Sequence, residues 1–301
     1  MINKEELKNK DRIIKGITRD RNFKISVVKT TDVVKTAREK HGLSLLNTVL
    51  LGRALTGAML MTSELKGEER IQLRLEGNGP VGMLVAEANS VGEIRGYSQH
   101  PDAELDYGKG DQEIGNGLGI GLMTFSKTLY NEARPRNSTI ELVKGNVTED
   151  LVHYMVQSEQ IPSAVMLDVG IDQNGKVSEA GGVFIQKLPD APKGKIVDLQ
   201  ENLKSLDSIS SLLKKDYYID DIMEMATHPL EVKELTRYPV DFFCRCTKKR
   251  FKNALAMVNF DDLKEMEDEG QELVCHYCNE HYMISKEEIE EIVIKARAKM
   301  N

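Results

Sequence analysis

Residues 244–278, CRCTKKRFKNALAMVNFDDLKEMEDEGQELVCHYC, contain every cysteine of the 301-residue chain: Cys244, Cys246, Cys275 and Cys278. The first two form a C-x-C pair and the last two a C-x-x-C pair. Four thiolates match the tetrahedral set of a structural Zn²⁺ site, in which the protein supplies all the ligands. The sequence therefore predicts one Zn²⁺ per chain and a small domain closed around it. His276 and His281 could each replace a thiolate, but four cysteines suffice.

Two interpretations of this site are open. A purely structural zinc ribbon is the commoner use of paired cysteines. The C-x-C pair favours a second interpretation, because only Arg245 separates two sulfurs that stay within reach of each other if the metal leaves. A disulfide across so short a ring is strained and labile. Oxidants attack thiolates, and a domain folded by its metal unfolds when its ligands are oxidised, which is the form of a redox switch.

Composition excludes several classes of protein. Apolar residues make up 40% and charged residues 30% of the chain, which is ordinary for a globular protein, and the net charge of -7 argues against general nucleic-acid binding. The N-terminal residues 1–16 have no apolar core of a secretory signal. The most apolar stretch, residues 43–61, is interrupted by Asn47 and Arg53 and falls short of the roughly 18 apolar residues of a membrane span. We expect a cytoplasmic protein that contacts no membrane and has reduced thiols.

The first part of the chain predicts an α+β core domain over residues 1–186. A long apolar helix is expected from Leu43 to about Lys66. Short strands with turns between them follow, in RIQLRLEG, VGMLVAEA and GEIRGYS, and indicate an antiparallel meander. Residues 163–188 predict a β-hairpin, because Asn174-Gly175 is a strong two-residue turn signal.

A helical linker of low stability is predicted at residues 187–230, after the Pro- and Lys-rich stretch KLPDAPKGK. Its apolar stripe at helical spacing also fits a connector packed on the first domain, and the stripe consists of Leu199, Leu203, Leu206, Ile209, Leu212 and Leu213. A C-terminal zinc-binding domain is predicted at residues 231–301. Within it, the C-x-x-C should lie in a hairpin turn, and Ser285 with Glu288 should form a helix capping box.

Known catalytic motifs fail on this chain. Residues 170–177, GIDQNGKV, have the spacing of a phosphate-binding loop, but Val177 replaces the hydroxyl residue that must reach magnesium. The glycines of IGNGLGIGLM alternate at every second position and do not form GxGxxG. We therefore expect no catalytic residues and no enzymatic activity.

The stretch VDFFCRCTKKRFKNAL…ELVCHYCNEHYMIS closely resembles the C-terminal switch of the redox-regulated heat-shock chaperones, the 33 kDa chaperonin family. ALTGAMLMTSELKGEERIQLRLEGNGPVGMLVAEAN, GEIRGY and AGGVFIQKLP resemble that family's core domain, so the similarity extends over nearly the whole chain.

This resemblance implies an ATP-independent holding chaperone that is inactive while reduced and zinc-bound. Oxidation would form Cys244–Cys246 and Cys275–Cys278 disulfides, release zinc, unfold the linker and produce a homodimer. Unfolding client proteins would be held until a thioredoxin- or glutaredoxin-type system reduces the chaperone and a foldase chaperone takes over the client. The spacing alone leaves three disulfide connectivities open.

Two other functions stay open on the sequence alone. Lys248, Lys249 and Arg250 follow the C-x-C pair and could belong to a nucleic-acid-binding zinc module. The C-x-x-C pair could belong to a thiol-disulfide oxidoreductase, although that chemistry needs the first cysteine at a helix N-terminus in a thioredoxin-like unit.

Overall fold

The computed structural model describes residues 10–67, 69–105, 113–130, 132, 134–192, 194–266 and 270–300. The chain divides into two compact units, Met1–Phe243 and Cys244–Asn301. The α-helices are α1 (Thr31–His41), α2 (Leu45–Met61), α3 (Thr148–Gln157), α4 (Lys195–Ser205), α5 (Ile209–Lys214), α6 (Ile219–Thr227), α7 (Lys248–Leu255), α8 (Phe260–Glu265) and α9 (Lys286–Met300). The strands are β1 (Arg12–Thr18), β2 (Phe23–Lys29), β3 (Arg70–Gly77), β4 (Met83–Asn89), β5 (Glu93–Ser98), β6 (Gly121–Thr128), β7 (Arg136–Glu141), β8 (Ser163–Ile171), β9 (Val177–Lys187), β10 (Val232–Pro239), β11 (Asp241–Phe242), β12 (Gln271–Val274) and β13 (His281–Ile284).

Helix α2 is the centre of the first unit. Fourteen of its 17 residues are buried, which explains why its sequence is apolar on all sides. It contacts strands of both large sheets, including β4 and β8. The side chain of Ser44 accepts a hydrogen bond from the Asn47 N–H, so the helix begins two residues later than expected. Its regular α-helical part ends at Met61 and is followed by a short 3₁₀ turn, so the predicted end at Lys66 was too late.

Two sheets enclose this helix. One has six strands in the order β11-β5-β4-β3-β6-β7, and it contains the predicted antiparallel meander. The other has five strands in the order β10-β1-β2-β9-β8. Strands β8 and β9 form the predicted hairpin, with Gly175 at φ 71° in its turn. The α+β class with antiparallel sheets is confirmed, and β11 adds one short parallel pairing to β5.

Helices α4, α5 and α6 pack on the five-stranded sheet. Their apolar side chains form one cluster with residues of the sheet such as Phe23, Ile25 and Ile185. Within this cluster, Leu199, Leu203, Ile209, Leu212 and Leu213 are buried, and Leu206 is partly buried. The predicted apolar stripe is therefore the buried face of these helices, as expected for a packed connector.

Strand β10 returns the chain to the five-stranded sheet after these helices. It pairs with β1 in antiparallel register, from Arg12 opposite Pro239 to Thr18 opposite Val232. The structure thus places residues 232–239, which the sequence had assigned to the C-terminal domain, in the five-stranded sheet. The division into a core domain (1–186), a helical linker (187–230) and a C-terminal zinc-binding domain (231–301) stays a prediction.

The second unit is small. Hairpin β12–β13 and helices α7, α8 and α9 share a core of buried Leu255, Leu263, Ile284, Ile289, Ile292 and Val293. A core of this size rarely stabilises a domain by more than about 3–5 kcal/mol, so a unit of this kind usually needs a further constraint. Among the residues that the structure describes, none of the helices is both long and apolar enough to cross a membrane.

Candidate metal centre

The C-x-x-C pair lies in the turn between β12 and β13, as the sequence predicted. The Cys275 carbonyl accepts hydrogen bonds from the N–H groups of Cys278 at 3.3 Å and Asn279 at 2.7 Å. The Cys275 N–H donates to the Glu280 carbonyl at 2.9 Å. Asn279 has a φ of 54°, in the left-handed region that asparagine tolerates better than most residues. This tight turn presents the sulfurs of Cys275 and Cys278 to the same point.

The C-x-C pair lies in the irregular segment between β11 and α7. Thr247 caps α7, because its hydroxyl accepts a hydrogen bond from the Arg250 N–H at 3.3 Å. The Arg250 guanidinium donates to the Arg245 carbonyl at 2.8 Å. One helix start therefore fixes the backbone between Cys244 and Cys246.

All four sulfurs converge. The Sγ atoms lie within 4.8 Å of one another. Cys244 Sγ is 3.7 Å from Cys275 Sγ, and Cys246 Sγ is 3.4 Å from Cys278 Sγ. A tetrahedral Zn²⁺ with bonds of about 2.3 Å would separate its sulfur ligands by about 3.8 Å. The four cysteines are thus close enough to hold one metal ion, and the sulfur set fits zinc.

The electrostatics of the cluster also favour a cation. Cys275 and Cys278 are buried, with 7% and 5% of their surface exposed. Burial raises the pKa of both thiols, and the neighbouring Cys244 raises it further. Four thiolates this close together repel one another and lose solvation, so they need a cation among them to stay deprotonated at neutral pH.

Tyr282 contacts the sulfur cluster, which the sequence analysis missed. Its hydroxyl lies 3.2 Å from Cys246 Sγ and 3.2 Å from the Cys246 carbonyl oxygen. Its ring packs on Phe251 of α7 with centroids 5.1 Å apart. The strand alternation of HYMI could have placed Tyr282 on the same face as buried Ile284, but its distance to Cys246 depends on tertiary packing that no local pattern reveals.

Glu288 joins α7 to α9. Its carboxylate lies 2.6 Å from Lys248 Nζ and 3.5 Å from Lys252 Nζ. It also accepts a hydrogen bond from the Ser285 N–H at 3.0 Å, while its own N–H donates to Ser285 Oγ. The predicted capping box is therefore present at the start of α9, and its Glu288 also contacts α7.

The observed contacts bear on the other predicted roles. His281 Nδ1 pairs with Glu272 Oε1 across the hairpin, so this imidazole has a partner outside the sulfur cluster. Lys248, the first residue of the basic run, is engaged by Glu288, which weakens the case for a nucleic-acid surface. The C-x-x-C lies in a hairpin turn and not at the helix N-terminus that a thioredoxin-like oxidoreductase requires.

Comparisons with known proteins give one consistent result. The family model described as Hsp33 protein matches residues 11–285. A 33 kDa chaperonin of Desulforamulus reducens is 36% identical over 292 residues, which cover 96% of this chain and 99% of the relative. A 33 kDa chaperonin of Thermus thermophilus is 38% identical, over 95% of this chain and 87% of the relative. The crystal structure of the 33 kDa chaperonin (heat shock protein 33 homolog) from Thermotoga maritima has a TM-score of 0.88 and 34% identity, and the match covers 96% of this chain and 100% of that one.

Proposed function

Because this chain belongs to the Hsp33 family, we propose that it is a redox-regulated, ATP-independent holding chaperone, inactive while its four cysteines are reduced and bind zinc. The family supports a chaperone function and binding of unfolded proteins. The observation that carries the redox part is the convergence of Cys244, Cys246, Cys275 and Cys278, with all four Sγ atoms within 4.8 Å.

When bound, Zn²⁺ would hold the four sulfurs as thiolates and supply folding free energy to a unit whose own core is small. The four cysteines are the sensor in this proposal as well as the ligands. One thiolate attacks a peroxide oxygen and breaks the O–O bond; that oxygen stays on the sulfur as a sulfenic acid, and the other leaves as hydroxide. A neighbouring thiolate then attacks that sulfur, displaces a second hydroxide and forms a disulfide.

Two such reactions consume two peroxides and remove all four thiolates. We assign the disulfides as Cys244–Cys246 and Cys275–Cys278. The sulfur distances permit this pairing, although close approaches also connect the two motifs, at 3.7 Å between Cys244 and Cys275. Metal loss then removes the constraint that folds the second unit.

Helices α4, α5 and α6 are the segment proposed to unfold in turn. In the folded chain they cover an apolar face of the five-stranded sheet that includes Phe23, Ile25, Val183 and Ile185. Their release would expose two apolar surfaces at once, that of the sheet and that of the helices, among them Met223. Methionine and leucine side chains suit contacts with many different unfolded clients.

The remaining partners follow from the same scheme. The oxidised protein would form a homodimer in the cytoplasm and hold clients until a thioredoxin- or glutaredoxin-type system reduces its cysteines. A foldase chaperone would then receive the client. The protein would act without hydrolysing ATP and without catalysis on its client.

Light scattering from a heat-unfolding client enzyme tests this function. The chain is added without ATP, either reduced and zinc-loaded or after peroxide treatment at elevated temperature, and Cys246→Ser is treated in parallel. Suppression of aggregation by the oxidised wild type alone supports the proposal. Equal activity of both wild-type forms would remove the redox mechanism, and inactivity of both would leave a structural zinc site.

A further inference from the structure

We propose that the Tyr282 hydroxyl is a positioning group that slows the reaction of the Cys246 sulfur with peroxide. This inference rests on the proposed function, since it concerns the same four cysteines. In this proposal, one side chain of the second unit controls how fast the C-x-C pair oxidises.

The hydroxyl is held in place from two directions. Tyr282 belongs to β13, two residues before Ile284, which is fully buried in the core of the second unit. Its ring packs on Phe251 at an interplanar angle of 37°. The hydroxyl also donates to the Cys246 carbonyl oxygen at 3.2 Å. The place of Tyr282 in β13 and the packing of its ring on Phe251 keep the oxygen 3.2 Å from Cys246 Sγ.

A thiolate can only accept a hydrogen bond, and the phenol has a single proton to donate. A charged acceptor forms the stronger hydrogen bond, so when the Cys246 sulfur is a metal ligand the phenol donates to that sulfur and no longer to the carbonyl oxygen. Donation draws electron density from the sulfur lone pairs, which are the electrons that attack peroxide. Hydrogen bonds from neighbouring residues tune metal ligands in this way. Removing the hydroxyl should therefore make the Cys246 sulfur more nucleophilic.

The effect should be local. The predicted Cys244–Cys246 disulfide needs the Cys246 sulfur, so its formation should respond to Tyr282. Among the residues that the structure describes, the Tyr282 hydroxyl contacts the sulfur of Cys246. The rate at which the Cys275–Cys278 pair first oxidises should therefore depend much less on Tyr282. Tyr282 would thus slow the oxidation of the C-x-C pair relative to that of the C-x-x-C pair.

Tyr282→Phe tests this in the full-length, zinc-loaded chain, because phenylalanine keeps the ring on Phe251. Thiols are trapped by alkylation at intervals after peroxide addition, and mass spectrometry follows the peptides of the two pairs separately. A hydrogen bond of ordinary strength predicts oxidation of Cys246 about 2- to 10-fold faster in the variant. Tyr217→Phe makes the same chemical change in the first unit and should leave the rates unchanged. Equal rates for Cys246 in wild type and Tyr282→Phe would overturn the proposal.

A spectrum separates electronic tuning from simple loss of structure. With Co²⁺ in place of zinc, the sulfur-to-cobalt charge-transfer band should move to lower energy in Tyr282→Phe, because the sulfur lone pairs lose a stabilising hydrogen bond. A structural role alone would weaken Co²⁺ binding and leave the band in place, which would also overturn the proposal. Phe251→Leu keeps the hydroxyl but loosens it, and it should speed Cys246 oxidation by less than Tyr282→Phe does.

The outcomes distinguish this inference from the function on which it rests. If wild type releases no zinc and forms no disulfide with peroxide, the proposed function fails. If wild type oxidises and Tyr282→Phe oxidises at the same rate with an unshifted cobalt spectrum, only the role of Tyr282 fails.

Discussion

The Asp150 carboxylate accepts a hydrogen bond from the Val147 backbone N–H at 2.9 Å, in a turn where Val147 has a φ of 71°. The same carboxylate also accepts from the N–H groups of Val143, Lys144 and Gly145. A β-branched residue in the left-handed region is strained, and it persists only where its surroundings determine it. Asp150, fully buried, supplies that constraint at the start of α3.

Asp150→Ala should destabilise the first unit strongly. The substitution leaves four backbone N–H groups without their acceptor, and those of Gly145 and Val147 are buried. Each buried donor left unpaired costs about 1–3 kcal/mol, so we expect a loss of about 2 kcal/mol or more. Urea unfolding measures it. Glu149→Ala, one residue away and exposed, is the control and should cost less than about 1 kcal/mol. Similar losses for both variants would contradict this account.

Asp11 should make the stability of the first unit depend on pH. Its carboxylate accepts from the Val33 N–H at 2.8 Å, and burial raises its pKa from 3.8 to about 7. The folded state therefore binds this proton more tightly than the unfolded state. The stabilisation is complete below about pH 3.8 and is lost as the pH rises through 7.

Asp11→Asn should remove that dependence. By linkage the wild type loses at most about 4 kcal/mol relative to the variant across this range. Denaturant unfolding at several pH values measures the slope. Asp32→Asn keeps the buried carboxyl and removes a neighbouring charge that raises its pKa, so the dependence should persist with its midpoint at lower pH. Parallel curves for wild type and Asp11→Asn would show that Asp11 does not titrate as described.

The ion pair between Lys248 and Glu288 should be detectable as a lowered pKa of the Glu288 carboxyl group. The Lys248 ammonium is the largest cause that lowers the pKa of Glu288 from 4.5 to about 2. The stability that this carboxylate contributes is present above pH 4.5 and is lost as the pH falls through 2. Carboxyl ¹³C NMR should find the Glu288 pKa raised toward 4.5 in Lys248→Met. Lys249→Met removes an adjacent charge and keeps the ion pair, so it should have little effect; equal shifts in both variants would argue against a specific pair.

Cys275→Ser should remove the metal and unfold the second unit. A structural Zn²⁺ contributes an apparent free energy of about 10–16 kcal/mol, far more than a small core supplies. Metal analysis should find less than one zinc per chain, and calorimetry should lose the transition of the second unit and keep a transition for the two large sheets of the first unit. Met283→Ser, at a side chain 62% exposed on the same hairpin, is the control. Full zinc content with both transitions retained would rule out this role for Cys275.

Much of the first unit could be predicted from local patterns. The apolar run of α2, the meander β3–β4–β5 and the Asn174-Gly175 hairpin each carry a signal within a few residues of the element they form. The cap of α3 could not be predicted in the same way. The hydroxyl of Thr148 and the two acids after it predict Thr148 as the N-cap, and this prediction is wrong: the N-cap is Val147, whose N–H donates to Asp150. The Thr148 hydroxyl is buried without a hydrogen-bond partner in the part of the chain that the structure describes. The Asp150 carboxylate caps the helix because it accepts hydrogen bonds from four backbone N–H groups at once.

The pairing of β10 with β1 could not be predicted from any local sequence pattern. Residues 232–239 alternate weakly, and their partner strand lies more than 200 residues earlier in the chain. Pairing at such a separation depends on where α4, α5 and α6 end, and those ends are fixed by packing on the sheet. The strand assignment of residues 232–239 was therefore decided by the tertiary structure.

By itself, the sequence determined that four cysteines form one site. The chain has no other cysteine, and the four lie in two pairs with the short spacing typical of metal-binding thiolates. It also determined the capping box at Ser285 and the turn at Cys275, since both depend on neighbours along the chain. Only the tertiary structure decided that the four sulfurs lie within 4.8 Å and that the Tyr282 hydroxyl lies 3.2 Å from Cys246 Sγ. Those distances join the C-x-C segment before α7 to the hairpin β12–β13, and they are set by side-chain packing that the linear spacing does not encode.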